Sequence, residues 1–176
     1  APAGEKPAAL NLALGGDLNL LNIVAKGNAG AAIADAQLAL APFDPVIILR
    51  SAKVKGSNIN PGKFDATLPQ ADLSLDLDAA IGSNQSVSGK LAIINHATPG
   101  PIDQQKLPLR QFDAHLGGTL TATTLESAII DFGNAGKFTG SGKVDRDAPD
   151  AGIGQAKVTL HTDKIDLQQI NSSINS

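Results

Sequence analysis

The stretch Ala71-Asp72-Leu73-Ser74-Leu75-Asp76-Leu77-Asp78-Ala79-Ala80-Ile81 decides the fold of this chain. Its odd positions are all apolar and most of its even positions are polar. Side chains along a strand point to opposite faces in turn, so the odd set makes an aliphatic face and the even set an acidic one. Wound into a helix, the same residues would scatter around the circumference and none would be buried together. The stretch is therefore a one-sided sheet strand, and its apolar face must meet something.

Working outward, the same alternation recurs on both sides. Leu10, Leu12 and Leu14 alternate with Ala and Asn until Gly15-Gly16 turns the chain. Leu18, Leu20, Leu21 and Ile23 predict a second strand in a less regular phase, and Gly27-Asn28-Ala29-Gly30 predicts a hairpin. Ala32, Ala34, Ala36, Leu38 and Leu40 form the next apolar series, and residues 46–49 with 52–55 predict another strand before Gly56. Beyond the central stretch, Val87, Leu91 and Ile93 share a phase. Phe112, Ala114 and Leu116 alternate with Gln111, Asp113 and His115. Further strands are expected around Leu120, around Ala128, Ile130 and Phe132, from Phe138 to Val144, and at Ala156, Val158 and Leu160. Residues 95–108 and 145–154 read as polar, Gly- and Pro-containing connections.

The period changes at Asn60-Pro61, where Asn suits a helix N-cap and Pro the first helical position. Ile59, Phe64 and Leu68 then lie four or five apart before Pro69, which predicts a helix of about two turns. Asp166 caps a second short helix carrying Leu167, Ile170 and Ile174.

These landmarks repeat. Leu14-Gly15-Gly16-Asp17-Leu18 matches Leu116-Gly117-Gly118-Thr119-Leu120, and Gly27-Asn28-Ala29-Gly30 recurs as Gly133-Asn134-Ala135-Gly136. Ala52-Lys53-Val54 recurs as Ala156-Lys157-Val158, and Ile59-Asn60 as Ile165-Asp166. All four pairs keep their order and lie about 104 residues apart. Residues 1–68 are thus expected to be the end of one β repeat unit closing in a short helix, and 69–176 a second such unit, in one continuous ribbon. About ten strands would span roughly 45–50 Å.

The fold class implied is all-β: an elongated, curled antiparallel sheet with a hydrophobic groove and short helices between repeat units. The competing arrangement is a sandwich with two sheets packed face to face. Composition favours the groove. Hydrophobic residues make up 42% of the 176-residue chain, but aromatics only 3%, with no Trp, Tyr or Met. Sandwich cores usually draw volume from buried aromatics. A net charge of −3 gives no nucleic-acid footprint. There is no Cys to form a disulfide, and no apolar run reaches the roughly 18 residues of a membrane span. Without Met at position 1, the chain reads as an excised piece of a longer protein, with any targeting or anchoring segment outside it.

No catalytic or metal-binding constellation emerges. Gly62-Lys63, Gly89-Lys90 and Gly142-Lys143 lack both the earlier Gly and the following Ser or Thr of a phosphate loop. Asp72, Asp76 and Asp78 have Leu77 where a calcium loop needs Gly, and alternation already explains them as a wetted face. His96, His115 and His161 are scattered, with no close pair to hold a metal. No strained Gly-x-Ser-x-Gly turn supports a nucleophile. The expectation is a protein that is not an enzyme and carries no cofactor.

The segment Asn95-His96-Ala97-Thr98-Pro99-Gly100-Pro101-Ile102-Asp103-Gln104-Gln105-Lys106-Leu107-Pro108-Leu109 resembles the Asn-x-x-x-Pro-Gly-Pro-Leu-Asp-x-x-Arg-Leu-Pro-Leu segment of the TamB family, in the AsmA-like superfamily. Ile102 and Lys106 are conservative departures. Ala41-Pro42-Phe43, Asn58-Ile59-Asn60-Pro61 and Pro69-Gln70-Ala71-Asp72-Leu73 are similar to the family's sequence on the N-terminal side of that segment. Residues 138–144 and Lys164-Ile165-Asp166-Leu167 are similar to its sequence on the C-terminal side.

The resemblance implies a long taco-like sheet folded about a groove, in a chain anchored in the inner membrane and crossing the periplasm of a Gram-negative bacterium. It implies phospholipid movement between the two membranes and support of outer-membrane protein assembly, autotransporters included, with a TamA-like Omp85 protein as partner of the full-length chain. The groove would hold phospholipid acyl chains or unfolded outer-membrane protein strands. The residues expected to line it are Leu73, Leu75, Leu77, Leu91, Ile93, Phe112, Leu116, Ile130, Phe132, Val158 and Leu160. Two other functions compete: a chaperone groove that adds guest strands by edge pairing, and a passive secreted β-solenoid adhesin with a solid core.

Overall fold

Alternating segments separated by Gly, Pro and Asn turns dictate an up-and-down sheet, and the computed structural model, which describes residues 8–148 and 152–174, contains one. Its strands are β1 (Ala9–Gly16), β2 (Leu21–Ala29), β3 (Ala32–Leu40), β4 (Leu49–Ile59) and β5 (Leu73–Ile81). They continue as β6 (Val87–Asn95), β7 (Gln111–Gly118), β8 (Ala122–Asp131), β9 (Gly136–Asp145) and β10 (Gln155–Ile165). All ten lie in a single antiparallel sheet in sequence order, with no crossover and no closure of β10 onto β1. Among the described residues no second sheet exists, so the sandwich alternative does not hold.

The connections divide between two long rims. Short turns join β1 to β2, β5 to β6 and β7 to β8 along one rim, together with the 41–48 loop. The other rim carries the connections with helical turns: α1 (Pro61–Phe64) and the 3-10 turns Ile102–Gln104, Gly133–Ala135 and Leu167–Gln169. Asn60 caps α1 as expected, its side-chain oxygen accepting the Gly62 N–H at 3.1 Å, and Asp166 does the same for Gln168 at 3.0 Å.

Both helices are shorter than their apolar spacing predicts. α1 is one turn because Asp65 is extended and its carboxylate takes the N–H and hydroxyl of Thr67, a local bond that competes with helix continuation. After Leu167–Gln169, the Asn171 side chain likewise accepts from Ser173 N–H and Oγ, and no helix reaches Ile174. The strand expected around Leu120 is also displaced. Leu120 sits in the β7–β8 turn, its N–H donated to Gln85 O, because β7 ends at Gly118 with φ of 106°. Leu18 and Leu20 similarly precede β2, and residues 46–48 precede β4. Of the 145–154 connection, residues 149–151 lie outside the described residues.

Three of the four pairs in the sequence repeat occupy equivalent places six strands apart; in the fourth, Gly27 to Ala29 end β2 whereas Gly133–Ala135 form the 3-10 turn after β8. Gly16 and Gly118 end β1 and β7 at positive φ, and a Cβ on either would collide with the backbone oxygen of Leu20 or Ala122. Only glycine fits there.

Candidate functional site: an uncovered aliphatic face

Residues directly opposite in an antiparallel pair share a face, so the register fixes which side chains lie together. Leu73, Leu75 and Leu77 of β5 stand opposite Asn95, Ile93 and Leu91 of β6. Ile93 and Leu91 pair with Phe112 and Ala114 of β7, and Gly89 with Leu116. Phe112 and Ala114 lead on to Ile130 and Ala128 of β8, and these to Phe138 and Gly140 of β9. Gly140 and Gly142 face Leu160 and Val158 of β10. Ten of the eleven expected groove residues therefore lie on one face of the sheet. The eleventh, Phe132, lies just past the end of β8, its ring edge-on to Phe138 with centroids 6.1 Å apart.

The face extends further than those eleven positions. Leu77 opposes Val54, Val54 opposes Ala36, and Leu38 of β3 opposes Ile23 of β2. Ile23 and Ala25 in turn oppose Leu14 and Leu12 of β1. Leu12, Leu14, Ile23, Leu38, Val54 and Phe138 thus belong to the same surface. The sequence marks them by the same alternation, but only pairing registers across five strands join them to Leu75. One-residue bulges between Gly56 and Ile59 and between Leu125 and Ala128 re-aim the strands without breaking the apolar face.

Nothing in the described chain lies over this surface. Among the described residues no large side chain is fully buried, and Leu12 and Leu160 remain 64% and 62% exposed. The opposite face is polar. Lys53 and Lys55 of β4 reach Asp78 and Asp76 of β5 at 3.1 and 3.3 Å, in exposed pairs worth little on their own. His115 and His161 belong to that face by register, whereas His96 follows β6 and meets Ser74 Oγ at 3.0 Å. Among the described residues, no cluster of His, Cys, Asp and Glu could hold a metal ion.

The rim with the helical turns is tied together by hydrogen bonds between successive connections. Asn95, 6% exposed at the end of β6, is its centre. Its Oδ1 accepts from the Asp72 and Ala97 N–H groups, both at 3.1 Å, and its Nδ2 donates to Leu109 O at 2.9 Å. Gln70 N–H donates to Gln105 O, Leu107 N–H to Gln70 O and Ile102 N–H to Ile170 O. Asp103 accepts from the N–H and hydroxyl of Ser172, and these bonds, the hydroxyl's foremost, hold its carboxyl below the usual carboxylate range. Near this rim, a depression of about 680 Å³ opens between Ala29, Ala32, Asn58, Phe64 and Ala71.

The molecule thus defines itself as an open, single-layer β-sheet protein with one aliphatic face left bare. No family model, curated protein or solved structure matches the chain.

Proposed function

We propose that the bare face is a groove segment on which phospholipid acyl chains pass between the inner and outer membranes, in a periplasmic bridge of the TamB kind anchored in the inner membrane. On this reading, outer-membrane protein assembly is supported through a TamA-like partner of the full-length chain. One observation carries the reading: ten strands present aliphatic side chains on the same face, and no other layer of the described chain takes up that surface. Exposed apolar patches of this extent mark binding surfaces for protein or lipid.

The energetics suit a hydrocarbon guest. Burial is worth about 0.8 kcal/mol per methylene, so a 16-carbon chain gains on the order of 12 kcal/mol when fully enclosed and about half of that when resting on one face. Holding is therefore strong, while movement depends only on differences between neighbouring positions. A surface of Leu, Ile and Val offers few deep minima, so an acyl chain can slide along it.

The test is photo-crosslinking in cells from position 75, on the aliphatic face, and from position 76, on the polar face, each in the full-length protein. Phospholipid adducts are expected from 75 and not from 76. Leu75→Asp should leave the sheet soluble and block lipid passage. Absence of lipid at 75, or equal capture at both positions, would overturn the reading.

A further inference from the structure

β10 is a sheet edge, exposed along ten of its eleven residues. The 166–174 segment after it does not cover that edge. It runs back along the rim, where Asp166 N–H donates to Ala135 O and Ile170 O accepts from Ile102 N–H. Unpaired edges recruit further strands through their free N–H and C=O groups, and side chains then decide which strand is accepted.

The internal repeat supplies the missing specification. β10 stands where β4 stands in the preceding unit: Ala156-Lys157-Val158 repeats Ala52-Lys53-Val54, and Asp166 caps a helical turn as Asn60 does. The edge of β4 that corresponds to the free edge of β10 is filled by β5. There Val54 opposes Leu77 on the aliphatic face, and Lys53 opposes and pairs with Asp78 on the polar one. In β10 the same places hold Val158 and Lys157. Lys157 stands opposite another lysine, Lys143, whose ammonium is taken by Asp145 at 2.8 Å. Among the described residues Lys157 enters no ion pair. An acidic side chain arriving from the open edge would relieve that repulsion.

We infer that the outer edge of β10 is a binding site for one class of strand: antiparallel, aliphatic at alternate positions to continue the bare face, and carrying a carboxylate opposite Lys157. This is the pattern of β5. The edge of β1 does not share the preference, because its polar-face positions are Ala9, Asn11, Ala13 and Gly15, with no charge among them. The site uses backbone and polar-face groups, so it stands or falls separately from lipid carriage on the aliphatic face.

The probe is a nine-residue peptide with the β5 sequence, Leu73 to Ile81, added to the whole chain while amide hydrogen exchange is followed strand by strand. Protection is expected at alternate amides of β10 and not at β1. Lys157→Glu should weaken binding about five-fold, and the peptide bearing Asp78→Lys should restore it on that variant. Thr159→Lys, which places a cation where β4 has Lys55, should strengthen binding of the unaltered peptide. Unchanged exchange in β3–β8 shows that each variant remains folded. No protection of β10 at millimolar peptide, equal protection of β1, or binding indifferent to these charges would overturn the inference.

Discussion

The middle of the sheet and its rims are built on different terms. In the middle, Leu75, Leu77, Leu91 and Ile93 stand beside their partners on the neighbouring strands and stay half-buried. The rims hold what tight packing there is. Of the five buried apolar residues among those described, Ala41, Ile47, Ala71 and Ala135 lie in connections, and only the small Ala52 lies within a strand. The buried polar side chain, Asn95, is at a strand end facing the rim. Stability resides in the backbone ladder and in connections bonded to each other, as in repeat proteins whose units support their neighbours. An aliphatic face that is not needed for internal packing is free to receive something else.

Asn95→Ala should break this division most. It removes two acceptor bonds and one donor bond at a site 6% exposed, leaving Asp72 N–H and Leu109 O without that partner. The expected loss is about 3 kcal/mol in urea unfolding, because orphaned buried groups cost more than the average bond contributes. Asn95→Asp should not rescue it: the variant loses the Nδ2 donor and places a charge in the same enclosed position.

A smaller effect compares truncations of similar size. Ile47, 5% exposed between β3 and β4, should cost about 2–3 kcal/mol as Ile47→Ala. Leu75→Ala on the open face should cost about 1 kcal/mol, because its side chain already meets solvent on one side. Matched urea curves measure both. Equal losses would mean that the middle of the sheet packs like a core, and the contrast with the rims would disappear.

The sequence carried the face but not its surroundings. Alternation around Leu75 placed ten of the eleven residues expected to line a groove on one face, since one-sided strands in an antiparallel meander must align their apolar sides. The N-caps Asn60 and Asp166 were equally plain, because their chemistry is local. Helix length was not legible: Asp65 and Asn171 compete for nearby donors, and apolar spacing does not register that competition. Phe132 looked like a strand residue, but the chain leaves β8 one position earlier. Whether a second layer covers Leu75 was also open, because alternation defines a face without naming what lies against it. Asn95 stood out only within the Pro-Gly-Pro segment, and its long-range bond to Asp72 depends on tertiary placement of two connections.

Acid should loosen the two rims separately, which gives the finest test of the comparison. Asp44 accepts from Ile47 N–H at 2.7 Å and Val46 N–H at 2.9 Å, and Arg50 lies against its other oxygen at 2.7 Å. The backbone bonds, foremost that from Ile47, hold its carboxyl below the usual carboxylate range, and the Arg50 cation adds to them. A depressed carboxylate contributes stability that is present above its unfolded pKa and lost as pH falls from about 4 toward the folded value. Asp44→Asn should therefore flatten part of the acid limb of a urea-midpoint curve and leave its shape near neutrality unchanged. Asp65 and Asp103 on the opposite rim are also depressed, by hydrogen bonds from Thr67 and Ser172. Their sensitivity should survive in the Asp44→Asn variant and diminish only when Asp103→Asn is added. If Asp44→Asn alone abolished the whole acid limb, a single rim would control the fold, and the other would not share in holding the sheet.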